Sequence, residues 1–229
     1  MQDQDKAKWA AAKGALQFVK DGMRIGLGTG STADKFVRLL ADKVKEENLH
    51  VECVATSKAT AALAQELGLP GEYENPTLLR LDMTVDGADE ADEAGNLIKG
   101  GGGALLREKL VALAGNELTI IVDDAKRVKV LGRKFKLPVE IIPFGHLRTM
   151  KRIQKLGCEL GVRERDGRTF VTDNGNYIVD CDFGGIADPG KLAQELKSLP
   201  GVVESGIFSG FIKRIVTGHA DGSFDIQEF

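Results

Sequence analysis

The feature that most limits the fold of this chain is an alternation. Across roughly its first half, short apolar runs of strand length take turns with stretches of helical period. Trp9, Ala12, Leu16 and Val19 recur at helical spacing, and Met23–Gly28 then reads as a strand. Ser31 and Thr32 read as N-caps of a helix striped by Phe36, Leu40 and Val44. His50–Ala55 is strand-like, and Ser57 caps a helix carrying Ala59, Leu63 and Leu67 that stops at Gly68 and Pro70. Leu79, Leu81, Met83 and Val85 alternate with polar residues as in a strand. Ala104–Ala114 is a helix, and Leu118–Val122 resembles a strand buried on both faces. Strands alternating with helices predict βαβ units and a mainly parallel sheet.

Near residue 132 the pattern changes. A strand at Pro138–Phe144, a helix through Leu147, Met150, Ile153 and Leu156, and strands around Cys158–Arg165 and Thr169–Phe183 follow. Asp188-Pro189 opens another helix, and Gly201–Phe208 is a last strand. The order β-α-β-β-α-β predicts a small ferredoxin-like α+β domain. The chain therefore reads as α/β. A Rossmann-like domain spans 1–131 plus about 207–229, and a smaller domain spans 132–206.

Glycine makes up 28 of 229 residues, well above the usual ~7%. The excess gathers in three places: Gly26–Thr32, Asp86-Gly87-Ala88-Asp89 and Lys99–Gly103. The first two follow predicted strands, as do Thr56-Ser57-Lys58 and Asp123–Lys126, and such loops share one edge of a parallel sheet, where ligands bind. The first loop, with Thr29, Gly30, Ser31 and Thr32, lacks the lysine of a P-loop. Gly28, Gly30 and Ala33 meet a dinucleotide fingerprint, but Glu52 falls mid-strand rather than at a strand end. A small anion, a dinucleotide and a bare turn all stay open there. Asp86 ends an apolar strand, and with Asp89 it could handle hydroxyl protons, whereas Glu90, Asp92 and Glu93 read as a solvated acidic turn. Four successive glycines, Gly100 to Gly103, cost backbone entropy and imply that something approaches the main chain closely. Leu105, Leu106, Leu110 and Leu113 form the apolar stripe of the next helix, so Glu108 points away from the core, as a surface residue or one facing the crevice. Lys126 reads as a surface lysine unless the crevice holds an anion.

A net charge of −3 gives no basic field for nucleic acid or anionic membrane, and no apolar run approaches the ~18 residues of a span. The N-terminus has no signal-like apolar segment. Three scattered cysteines and three scattered histidines form no disulfide framework, zinc centre or triad, and a reduced cytoplasmic setting is expected.

Seven stretches, in order over roughly 5–208, resemble ribose-5-phosphate isomerases of type A: GLGTGSTADKF, VATSKAT, DMTVDGADEAD, IKGGGGALLREK, LPVEIIPF, VTDNGNYIVD and PGVVESGIF. The resemblance implies interconversion of ribose 5-phosphate and ribulose 5-phosphate with no metal or organic cofactor. It assigns the general base to Glu108, the acidic pair to Asp86 and Asp89, and the motif lysine to Lys99. Substrate contacts fall on Thr29, Gly30, Ser31, Thr32, Gly87, Ala88, Gly100, Gly101, Gly102 and Lys126. Homodimers or tetramers are implied as well. Ser209–Ile215 departs from the bacterial pattern, being shorter and more basic. Two other classes compete, a sugar-phosphate-sensing regulatory module and a related sugar-phosphate deaminase or CoA transferase. A regulator would need a DNA-binding segment, and intact DGAD and KGGGGALLREK motifs argue against both.

Overall fold

Strands that are apolar on both faces must be covered on both faces, and a parallel sheet flanked by helices does this. The computed structural model describes residues 3–74, 76–77 and 80–229; Leu79, expected in the third strand, lies outside them. The chain forms two compact units, one of Met1–Ala88, Arg107–Arg127 and Phe211–Phe229, the other of Asp89–Leu106 and Val128–Gly210. Beyond the expected 132–206, the second unit takes in 89–106, 128–131 and 207–210.

The first unit holds β1 (Arg24–Leu27), β2 (Glu52–Ala55), β3 (Gly71–Glu72), β4 (Leu81–Gly87), β7 (Gly115–Asp123), β15 (Arg214–Gly218) and β16 (Phe224–Glu228). They form one sheet in the order β16-β15-β7-β4-β1-β2-β3, parallel throughout except for β16. Its helices are α1 (Asp3–Leu16), α2 (Ser31–Glu47), α3 (Lys58–Glu66) and most of α4 (Leu105–Ala114). The chain lays down β1 to β3 toward one side of the sheet and β4 to β16 toward the other. Direction thus reverses between β1 and β4, the switch point where the following loops part and leave room for a ligand. Ile25, Leu27, Phe36, Leu40, Met83 and Ile121 build the core.

The second unit holds β8 (Leu137–Ile141), β9 (Glu159–Val162), β12 (Tyr177–Asp182) and β13 (Val202–Ser205), with α5 (His146–Gln154) and α6 (Pro189–Lys197). The antiparallel order β13-β8-β12-β9 is that of a ferredoxin-like sheet. A hairpin of β10 (Glu164–Arg165) and β11 (Arg168–Thr169) lies between β9 and β12 in sequence. A second small sheet orders β14 (Ile207–Phe208), β6 (Leu97–Ile98) and β5 (Glu90–Ala91). The strand expected over Gly201–Phe208 is therefore two, serving different sheets. Gly206 sits at the break, donating to the Pro138 carbonyl and accepting from Lys99 N, both at 2.8 Å. A Cβ there would strike the Lys99 carbonyl, so only glycine fits.

Candidate active site

In the first unit the parallel register fixes where the loops emerge. Leu27 pairs with both Ala55 and Val85, and Gly87 with Ile121. Gly28–Thr32, Thr56-Ser57, Asp86–Ala88 and Asp123–Lys126 therefore leave the sheet at the same edge, the first and third at the switch point. Asp86, 1% exposed, has its Oδ1 accepting from Thr29 N at 3.1 Å and Gly87 N at 2.7 Å. Its carboxylate lies so close to Gly28 that a Cβ on Gly28 would overlap it. Thr29 turns its hydroxyl into a cluster with Thr56 at 2.7 Å, Ser57 at 2.8 Å and Thr60 at 3.1 Å.

The cap of α2 differs from expectation. Gly30, at φ 108°, is the N-cap and makes no side-chain cap bond, while Ser31 is the first helical residue. Ser31 Oγ accepts from Lys8 Nζ at 3.0 Å. The first-turn amides of α2 are thus left for a ligand or water. Ser57 does cap α3, accepting from Thr60 N. Glu52 opens β2 instead of lying within it, and it pairs with Arg24 at 2.8 Å at the strands' other end. That removes the acid a dinucleotide ribose would need. Lys126 is half-buried on a 3-10 turn, 124–126, which Asp123 caps through Ala125 N.

Glu108 overturns the periodicity reading. It is 4% exposed, whereas Leu110 and Leu113 of the expected stripe are 50% and 61% exposed. The buried positions of α4 are Leu105, Glu108, Val111 and Ala112. Val111 packs with Leu81 and Val54, and its carbonyl accepts from Thr84 Oγ1 at 3.1 Å. A Cβ on Gly26 would lie 2.6 Å from Val111. α4 runs straight into β7, whose first residue pairs with Leu81, so the helix is antiparallel to the strands. Three residues back from Val111 is about 4.5 Å along the helix, in the direction that leads from Thr84 and Gly26 toward Asp86 and Gly28, about 6.6 Å onward along their strands. That step carries Glu108 toward the switch-point end of the sheet.

In the second unit β5 and β6 present the remaining candidates. Lys99 follows β6 and is almost fully buried, with Nζ 5.5 Å from the centre of the Phe208 ring. Asp89 donates its N–H to the Ile98 carbonyl, and its Oδ2 accepts from Gly101 N at 2.7 Å. Gly100 and Gly103 have φ of 104° and 85°, and Gly103 N donates to the Gly100 carbonyl at 3.0 Å. A Cβ on Gly101 would press on the Asp89 carboxylate and one on Gly103 would overlap the Phe170 ring. The close approach inferred from the glycine run therefore comes partly from the protein itself.

Glu90 is not solvated. It is 1% exposed and accepts from the backbone N–H groups of Gly132, Lys134 and Phe135 at 2.6–2.9 Å. Asp92 closes its own turn through Ala94 N and Asn96 N, and Glu93 is exposed as expected. Arg163, Asp180 and Phe170 were not singled out from the sequence. Their signal is three-dimensional, because Arg163 meets the glycine loop across more than sixty residues.

Residues 52–222 match the family model of ribose 5-phosphate isomerase A (phosphoriboisomerase A). The chain is 45% identical over 225 residues to ribose-5-phosphate isomerase A 1 of Oceanobacillus iheyensis, covering 98% of this chain and 99% of that one. It is 47% identical over 231 residues to ribose-5-phosphate isomerase A of Agrobacterium fabrum, again 98% and 99% covered. Among solved structures, ribose 5-phosphate isomerase A of Methanocaldococcus jannaschii superposes with a TM-score of 0.93 at 38% identity over the whole of both chains. A D-ribose-5-phosphate isomerase in complex with phospho-erythronic acid does so with a TM-score of 0.94 at 35% identity, likewise over the whole of both. The chain belongs to the ribose 5-phosphate isomerase A family.

Proposed function

We propose that this chain interconverts ribose 5-phosphate and ribulose 5-phosphate, with Glu108 as the general base. The observation that carries the reading is the burial of Glu108 on the sheet-facing side of α4, where an apolar residue would otherwise stand. In the forward direction Glu108 takes the proton from C2 of the open-chain aldose. The C2–H electron pair becomes the C1–C2 double bond of an enediolate, and charge collects on O1. A proton passes from O2 to O1, and Glu108 returns its own proton to C1. A positioned base of this kind contributes about 10²–10⁴-fold.

Asp86 and Asp89 are assigned to ring opening and the hydroxyl proton transfers. Lys99 is assigned to the developing oxyanion, the kind of contact whose loss costs about 3–4 kcal/mol. Gly101 N and Gly103 N are already bonded, so backbone help falls to Gly100 and Gly102. The phosphate is assigned to Thr29, Gly30, Ser31 and Thr32 at the start of α2 and to Lys126, with Gly87 and Ala88 lining the sugar. A phosphate held there fixes the reacting carbons against the base.

The reading needs no metal or cofactor, and no cluster of three metal-binding side chains occurs among the described residues. Homodimerisation is part of the proposal, supported by the exposed Phe144 and Leu147. So is a cytoplasmic location, supported by three free, buried cysteines; among the described residues no helix is long and apolar enough to cross a membrane.

Glu108→Gln should abolish turnover of ribose 5-phosphate while phospho-erythronic acid, whose carboxylate mimics the enediolate, still binds. A chelator should leave wild-type turnover unchanged. Substantial turnover by Glu108→Gln would remove Glu108 from its role.

A further inference from the structure

The Arg163 guanidinium grips the glycine loop from one side. Nη1 donates to the Gly100 carbonyl at 2.7 Å and to the Gly101 carbonyl at 3.1 Å. Nε and Nη2 form a two-pronged bond to Asp180 at 2.9 and 2.5 Å. The side chains of Arg163 and Asp180 are 12% and 27% exposed, so the pair is largely sheltered from water. Such a fork fixes direction as well as distance.

Peptide geometry turns that grip into aim. No peptide here is cis, and in a trans peptide the C=O and N–H point in opposite directions. The Gly100–Gly101 peptide is therefore held from both sides, Arg163 on its carbonyl and Asp89 on its N–H. Hydrogen bonds in series polarise one another, so Asp180, Arg163, this peptide and Asp89 form one chain of alternating charge and dipole. The Gly101–Gly102 peptide is held only by its carbonyl side among these contacts, which turns the Gly102 N–H away from Arg163. Gly102 is exposed.

We propose that Arg163, oriented by Asp180, is a positioning residue that sets the Asp89 carboxylate and the Gly102 amide for the isomerisation. It touches no reacting atom. The inference rests on the functional reading above, and its test separates the two.

Arg163→Met should lower kcat for ribose 5-phosphate by about 10²-fold, the scale of a roughly 1 Å misplacement of reacting groups, with KM nearly unchanged. Asp180→Asn, which keeps the shape and loses the orienting charge, should lower kcat by a smaller factor. Arg163→Lys restores charge without the fork and should recover little, whereas added methylguanidine should partly rescue a smaller variant, Arg163→Ala. Amide exchange at Gly101, followed by NMR, should speed up in Arg163→Met. That readout needs no turnover, so a wild type inactive on ribose 5-phosphate would sink the functional reading and leave the clamp judged on exchange. Wild-type kcat in folded Arg163→Met, or Gly101 exchange unchanged in it, would overturn the proposal. So would a kcat loss that only tracks the folded fraction and that methylguanidine fails to rescue.

Discussion

At the scale of single residues, space beside the site is allotted by what the neighbour does. Gly28 and Gly87 both stand next to Asp86, yet they tolerate a methyl group differently. A Cβ on Gly28 would overlap the Asp86 carboxyl, which two backbone N–H groups hold in place. A Cβ on Gly87 would meet only the Ile121 carbonyl, at 3.8 Å. Gly28→Ala should therefore destabilise by about 1–3 kcal/mol, the usual cost of overpacking, and displace Asp86. Gly87→Ala should stay within about 0.5 kcal/mol, as ordinary unstrained substitutions do. Urea unfolding of the two variants checks the contrast, and equal losses would show that the crowding at Gly28 relaxes freely. The same scale shows where sequence reading stops. The place of Asp86 near the end of β4 was legible because an apolar strand runs into a glycine there. The burial of Glu108 was not, because Leu110 and Leu113 look like core and are exposed, so the apparent stripe pointed the helix the wrong way. Only the packing of Val111 on Gly26 and Thr84 settles which face of α4 is inside.

At the scale of elements, the C-terminal hairpin is the part whose path the sequence left open, because Ser209–Ile215 departs from the bacterial pattern, although the hairpin was expected in the first domain and lies there. Its β15 pairs with β7 as far as Gly218 against Asp123 and so reaches the turn that carries Lys126. Two side chains then fasten the turn to the hairpin. His219 places Nδ1 and Nε2 each 2.9 Å from a carboxylate, Asp124 on the turn and Asp225 on β16. Arg127 donates to Gln227 at 2.7 Å. The bonds to Asp124 and then Asp225 raise the His219 pKa against a small opposing effect of burial, and Asp221 faces it too. A histidine raised on folding stabilises the native state fully below its unfolded value of about 6.5. That contribution fades as pH climbs through the raised folded value. The Tm difference between wild type and His219→Gln should therefore be widest at mildly acidic pH and close on the alkaline side. A difference that does not change with pH would mean that His219 acts only by packing. The pair is largely exposed, so the effect should also shrink in salt.

At the scale of the whole molecule, the chain passes between its two units four times, after residues 88, 106, 127 and 210. The change of hydrophobic pattern near 132 was legible, and it correctly announced a β-α-β-β-α-β sheet. What no local pattern could announce is that this sheet draws its core from distant parts of the chain. Ile98, Leu131 and Ile207 belong to the same buried cluster as Val139, Ile153 and Val179. Glu90 holds the backbone of Gly132, Lys134 and Phe135. A contiguous 132–206 piece would keep every strand of the four-stranded sheet and lose all four of these residues. Truncating a buried isoleucine or leucine costs about 2–5 kcal/mol, so the loss of three rivals the 5–15 kcal/mol that holds a domain of any size together. A piece of that length is marginal even when complete. The excised 132–206 segment should therefore give a broad, non-cooperative thermal transition by circular dichroism, while the full chain melts sharply. A sharp transition in the excised segment would show that the four-stranded sheet is self-sufficient and that residues 89–106 add a site to it without supporting it.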